Sequence, residues 1–141
     1  MSLQRAMSIA AGGLTAQRTR MEVVSSNLAN ARTTRSPEGG PYRRREPIFA
    51  AQPFERSLDD VVGRGLRSVR LVTVVQDPAP LPLRYEPGHP DADERGFVAY
   101  PNVDPVREMV DMLSATRSYE ANVTLVRSVR EMLQSALQIL A

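Results

Sequence analysis

The stretch DPVREMVDMLSATRSYEANVTLVRSVREMLQSALQILA, residues 104–141, decides the architecture. It holds no glycine, and its single proline, Pro105, stands at a first helical position, where a missing N–H costs nothing. Asp104 just before it supplies a carboxylate suited to an N-cap. Met112, Tyr119, Val126, Leu133 and Leu140 recur every seven residues. Beside them run Ala115 or Thr116, Asn122 or Val123, Val129, and Ala136 or Leu137. Two rows at that spacing form an apolar stripe that packs along another helix. At about 1.5 Å per residue the segment reaches roughly 55 Å, more than a small globule needs. Its stripe therefore requires a partner.

The opposite end of the chain carries a matching pattern. Met7, Leu14, Met21 and Leu28 fall seven apart, and Leu3, Ala10, Gln17, Val24 and Ala31 form a second row. Gly12-Gly13 weakens this helix by about 1 kcal/mol per glycine relative to alanine. The two termini are expected to close on each other as an intramolecular pair, with the middle of the chain inserted at the far end. Gln17 and Asn122 place polar groups in the seam, where such residues fix register at some cost in stability. A two-helix hairpin buries one side of each stripe only, so the ends are expected to become ordered against copies or neighbours. An ordinary compact helical bundle is the other reading of the same pattern. Arg5 followed by Ala6–Ala16 has the outline of a signal peptide. That run holds only three large apolar residues, however, and the seven-residue spacing continues to Leu28, so an uncleaved helix is expected.

Residues 35–101 contain ten of the eleven prolines, with short apolar runs between turn formers. Arg67–Gln76 is the best strand candidate, being alternating and rich in β-branched residues. Pro47–Phe54 is a second candidate, and Leu81–Tyr85 and Gly96–Tyr100 are shorter ones. Ser36–Pro41, Asp77-Pro78 and Glu86–Pro90 read as turns, and Leu58–Gly65 carries no motif. The expected fold class is α+β. Two long terminal α-helices, in segments 1–34 and 102–141, pair as a coiled-coil-like core around a small irregular β-rich middle domain, 35–101.

Composition excludes much chemistry. With no cysteine, disulfides, thiolate metal sites and a cysteine nucleophile are ruled out. His89 is the only histidine, so no two-histidine metal site exists within one chain. Asp91, Asp93 and Glu94 beside it lack the rest of a calcium-loop pattern. No Gly-x-Ser-x-Gly elbow occurs, and Gly39-Gly40 and Gly63-Arg64-Gly65 lack the remainder of a phosphate loop. No catalytic residue, metal or cofactor is expected. No run reaches the roughly 18 apolar residues of a spanning helix. All 18 basic residues are arginine, and the formal net charge is +2. The basic leader and Arg43-Arg44-Arg45 beside Tyr42 permit a nucleic-acid-binding adaptor as an alternative. Salt bridges with a neighbouring subunit explain the cluster as well. Asn122-Val123-Thr124 matches a glycosylation acceptor but falls mid-helix, which marks a chance match.

Ser25-Ser26-Asn27-Leu28-Ala29-Asn30-Ala31 resembles the N-terminal signature of the bacterial flagellar axial proteins, the rod, hook and related subunits. Tyr119-Glu120-Ala121-Asn122, with Met132 and Leu137–Leu140, resembles their C-terminal signature. Thr34–Arg44, Tyr85–Ala92 and Pro101–Met112 are similar to the proximal-rod branch of that family. The resemblance covers nearly the whole chain, with a different rod or hook axial subunit as the alternative within the family. It implies a structural subunit exported uncleaved by the flagellar type III apparatus and assembled in the basal-body rod that spans the periplasm. Its implied partners are copies of itself, other rod subunits and basal-body ring components, without nucleic acid or direct membrane insertion. The expected assembly interface comprises Met7, Ala10, Leu14, Met21, Val24, Asn27, Leu28 and Asn30 in the first helix. In the second it comprises Met112, Tyr119, Asn122, Val126, Leu133 and Leu140. Asn27, Asn30 and Asn122 are expected to bond backbone between subunits. Helix termination is the plainer role for Asn30, and a tolerated seam position the plainer one for Asn122.

Overall fold

The computed structural model of the chain describes residues 3–53 and 67–140. Two helices and four strands follow in the order α1 (Leu3–Ala29), β1 (Arg45–Pro53), β2 (Arg67–Gln76), β3 (Leu83–Tyr85), β4 (Phe97–Ala99) and α2 (Pro105–Leu140). The fold is α+β: two long terminal helices with small antiparallel sheets between them. Phe54 and the stretch Leu58–Gly65 lie outside the described residues.

Helix α2 starts where its cap dictates. Asp104 Oδ1 accepts the N–H of Val106 at 3.0 Å and of Arg107 at 3.4 Å, and Pro105 opens the first turn. Helix α1 ends at an asparagine. Asn30 Nδ2 donates to the Ser26 carbonyl, and Asn30 Oδ1 accepts the Thr33 hydroxyl, so the side chain closes the last turn and the turn after it.

The helices run antiparallel. Along α1 the positions Gly13, Arg20 and Asn27 meet, in turn, Asn122, Asp111 and Glu108 of α2. The middle of the chain is not simply an insertion at the far end. β1 and β2 form a long antiparallel ribbon, with Arg45 opposite Gln76 at its root and Pro53 opposite Arg67 at its other end. The ribbon folds back along α1, from Asn27 near its root to Gly12 near Ser68 and Val69. A bulge between Ile48 and Phe49 shifts the pairing, so that Phe49 lies opposite Leu71. A separate sheet pairs β3 with β4.

Two sequence-adjacent glycines explain how one helix holds two neighbours. A Cβ on Gly12 would stand 2.5 Å from Ser68 Oγ of β2. One on Gly13 would stand 3.1 Å from Asn122 Nδ2 of α2. The pair that weakens α1 as a lone helix lets the ribbon and α2 approach on adjoining sides.

Candidate functional site

The apolar rows read from sequence meet along the α1–α2 seam. Ala10 and Val24 of α1 and Ala115 and Val129 of α2 are buried. Met7, Leu14, Met21 and Leu28 are half-buried, as are Met112, Tyr119, Val126 and Leu133. Leu140 closes α2, and its side chain lies outside the description. The small residues Ala10, Gly13 and Ala115 let the helix axes approach, and the Thr116 hydroxyl sits 3.6 Å from Met21 Sδ. The polar seam positions behave differently from one another. Asn122 donates to the Ser118 carbonyl of its own helix and lies against Gly13. Gln17 Oε1 is buried with no hydrogen-bond partner among the described residues.

One end of this seam is a polar knot. The row Ala115, Asn122, Val129 extends backward by seven to Glu108, which is fully buried. Asn27 Nδ2 donates to Glu108 Oε2 at 2.9 Å and to the Arg45 carbonyl at 2.8 Å. Asn27 Oδ1 accepts the Tyr42 hydroxyl and the Arg45 N–H, each at 2.9 Å. Every hydrogen-bonding position of the buried amide is thus filled. Asn27, expected to bond backbone of a neighbouring subunit, bonds backbone of its own chain.

Arg44 Nε donates to the other oxygen of Glu108 at 2.6 Å. Burial pulls the Arg44 pKa down, but the hydrogen bond and charge of Glu108, followed by Glu46, outweigh it and hold the pKa above its ordinary value. Arg20 of α1 reaches Asp111 at 3.1 Å beside the knot. A cavity of about 190 Å³ opens there, lined by Val24, Pro47 and Phe49 among others.

The arginine cluster is spent internally. Arg43 donates to the carbonyls of Asp77 and Ala79, Arg44 to Glu108, and Arg45 to Glu38. The Arg45 guanidinium also stands 5.6 Å over the Tyr42 ring. A second tie crosses the loops, where Asp91 accepts the Thr34 hydroxyl at 2.8 Å and pairs with Arg35. The Thr34 hydrogen bond is the main reason the Asp91 carboxyl sits below the usual range; Arg35 and His89 add to it against a smaller burial effect. Among the described residues no group of three or more metal-ligating side chains gathers. No described helix is long and apolar enough to cross a membrane.

The two helices differ in what they leave open. The exposed positions of α1 fall on one line of small or polar residues, namely Ser8, Ala11, Thr15, Arg18, Glu22, Ser25 and Ala29. The large apolar residues of α1 are at least half-covered by the chain itself. α2 leaves a second apolar stripe exposed. Val106, Met109, Val110 and Leu113 are 69%, 56%, 63% and 52% exposed, and their spacing puts them on one helical face. Leu125, Met132 and Leu137 are exposed further along. The 106–113 stripe is masked in the sequence by the neighbouring seven-residue row at Met112. Its own signal was the offset i, i+3, i+4, i+7 run at the start of α2.

Residues 7–35 match the family described as flagella basal body rod protein. Residues 94–139 match the family described as flagellar basal body rod FlgEFG protein C-terminal. The chain is 46% identical to the flagellar basal-body rod protein FlgC of Borreliella burgdorferi, over 99% of each chain. It is 41% identical to the protein of the same name from Bacillus subtilis, again over 99% of each. Against that of Salmonella typhimurium it is 40% identical over 99% of this chain and 98% of the relative.

Proposed function

This chain belongs to the FlgC family of flagellar basal-body rod proteins and is a structural subunit of the rod; from that premise we propose how it is built into the shaft. It acts without catalysis, by packing with copies of itself and with other rod subunits. Segments 1–34 and 102–141 form an inner, axially aligned layer, and 35–101 an outer one. The rod crosses the periplasm, meets the basal-body rings and carries torque to the structures beyond. The type III apparatus exports the subunit uncleaved.

The observation that carries this reading is the exposed apolar stripe of Val106, Met109, Val110 and Leu113, on a helix whose other side is occupied by α1. Such a face is a docking surface by its chemistry, since burying it yields about 25 cal/mol per Å². Asn27 and Asn30 fix the end of the helix pair within the subunit, and the seam residues Met7, Leu14, Met112, Tyr119 and Val126 support the interface from beneath.

The test is a chromosomal deletion of the gene, complemented by charged substitutions on the stripe, with isolated basal bodies viewed by electron microscopy. Cells lacking the protein are expected to build the membrane ring without rod, hook or filament. A complete rod in those cells would overturn the reading.

A further inference from the structure

The connections between the helix pair and the β1–β2 ribbon pass beside one side chain. Arg44 directly precedes β1. Its guanidinium lies 2.6 Å from Glu108 and 3.8 Å from Asp111 of α2, 3.5 Å from Glu46 of β1, and 4.0 Å from Asp77 at the exit of β2. Its backbone is engaged as well. The Arg44 N–H donates to Asn102 Oδ1 at 2.8 Å, and its carbonyl accepts the Asp77 N–H at 2.8 Å. Asn102, just before α2, donates onward to the carbonyls of Asp77 and Ala79. One planar cation thus gathers four carboxylates from the ribbon root and the start of α2.

The chain around it is stiff by composition. The three stretches that pass beside it read Pro41-Tyr42-Arg43-Arg44-Arg45-Glu46-Pro47, Gln76-Asp77-Pro78-Ala79-Pro80 and Tyr100-Pro101-Asn102-Val103-Asp104-Pro105. None of these three short stretches contains a glycine, and each contains two prolines, whose fixed φ removes hinge freedom next to the joint; Gly39-Gly40, Gly88 and Gly96 lie farther out in the same connections. Arginine suits the role because its fork holds several carboxylates at fixed angles, where an ammonium acts as a point charge.

We propose that Arg44, with Glu108, Asp111, Glu46 and Asp77, is a rigid joint that sets the angle between the ribbon and the helix pair. Load applied to the helices then reaches the ribbon through these side-chain contacts, bypassing the glycine-containing loops. Replacing a buried ion pair such as Arg44–Glu108 by well-packed apolar residues is often neutral or stabilising, so the role assigned to this one is to select one arrangement rather than to add stability. The inference goes beyond rod assembly. It concerns the single subunit and is measured on the isolated full-length chain, so its failure leaves the assembly reading intact.

The natural sequence has no cysteine, so pairs of introduced thiols carry spin labels without background. Thr73 on the ribbon, Ser128 on α2 and Ser8 on α1 are exposed sites for them. In the otherwise unaltered chain, the Thr73–Ser128 distance distribution is expected to be narrow. In Arg44→Met combined with Glu108→Met, the Ser8–Ser128 distribution should stay unchanged while the Thr73–Ser128 pair loses its narrow peak. If the double variant does not fold by circular dichroism, Arg44→Lys takes its place, keeping the charge and losing the fork, with the same loss expected. A folded variant whose ribbon distance keeps its original width overturns the proposal and assigns the angle to the Gly12–Ser68 approach instead.

Discussion

Asn27 and Glu108 stand 81 positions apart in the chain and meet at 2.9 Å, both fully buried, one near the end of the first helix and one in the opening turn of the last. Each has a second obligation. Asn27 holds the backbone of Arg45, and Glu108 holds the Arg44 side chain. The contact therefore fastens the helix ends to each other and to the ribbon root at once.

Asn27→Leu keeps the volume and removes all four hydrogen bonds. It leaves a buried carboxylate oxygen, a phenol and a peptide group without that partner, for an expected loss of about 3–5 kcal/mol. Urea unfolding followed by circular dichroism measures it. A loss below about 1 kcal/mol would mean that water or a shifted side chain replaces the amide.

Gly13→Ala ought to gain about 1 kcal/mol from helix propensity alone. Instead it is expected to destabilise, because the new methyl meets Asn122 at 3.1 to 3.3 Å. In an Asn122→Ala background that contact is gone and the same substitution should stabilise. A double-mutant cycle showing no coupling between the two positions would contradict this packing.

Val110→Asp places a charge on the exposed apolar stripe of α2 without touching the seam. Stability of the isolated chain should change by less than about 0.5 kcal/mol. Motility on soft agar should nonetheless be lost. Normal swimming by a strain carrying this variant at ordinary levels would remove the stripe from the assembly surface.

Asp91 titrates below its ordinary range in the folded chain, through the Thr34 hydroxyl first, with Arg35 and His89 assisting against a smaller effect of burial. A depressed folded value means that the stabilisation is complete above the unfolded carboxylate pKa near 3.8 and fades as pH falls through the folded one. Between pH 7 and pH 3, the unaltered chain should therefore lose more of its urea midpoint than Asp91→Asn does. Equal losses would show that the carboxyl is not held by these partners.

Much of the fold was legible because its signals are local. Asp104-Pro105 announces a helix start, seven-residue spacing announces a seam, and the alternation from Arg67 to Gln76 marks β2 to the residue. Glu108 was not legible as a buried group, since its reason for being inside is supplied by Asn27 and Arg44 far away in sequence. Its position on the seam row, seven before Ala115, was the one available hint. Gly12 posed the same difficulty. Its local cost to the helix is visible in sequence, while the strand that needs its bare Cα arrives from more than fifty residues later. For Asn30 the sequence offers both a bond between subunits and helix termination, and within the chain it terminates α1.

The adjacent glycines also fix a geometry around α1. Consecutive residues of an α-helix point about 100° apart, so the strand against Gly12 and the helix against Gly13 adjoin α1 as two walls adjoin a corner post. Opposite that corner runs the straight line from Ser8 to Ala29, with no large side chain except Arg18 and Glu22, which pair with each other. The post is braced on two sides and smooth on the third, so whatever lies along it can come close over its full height.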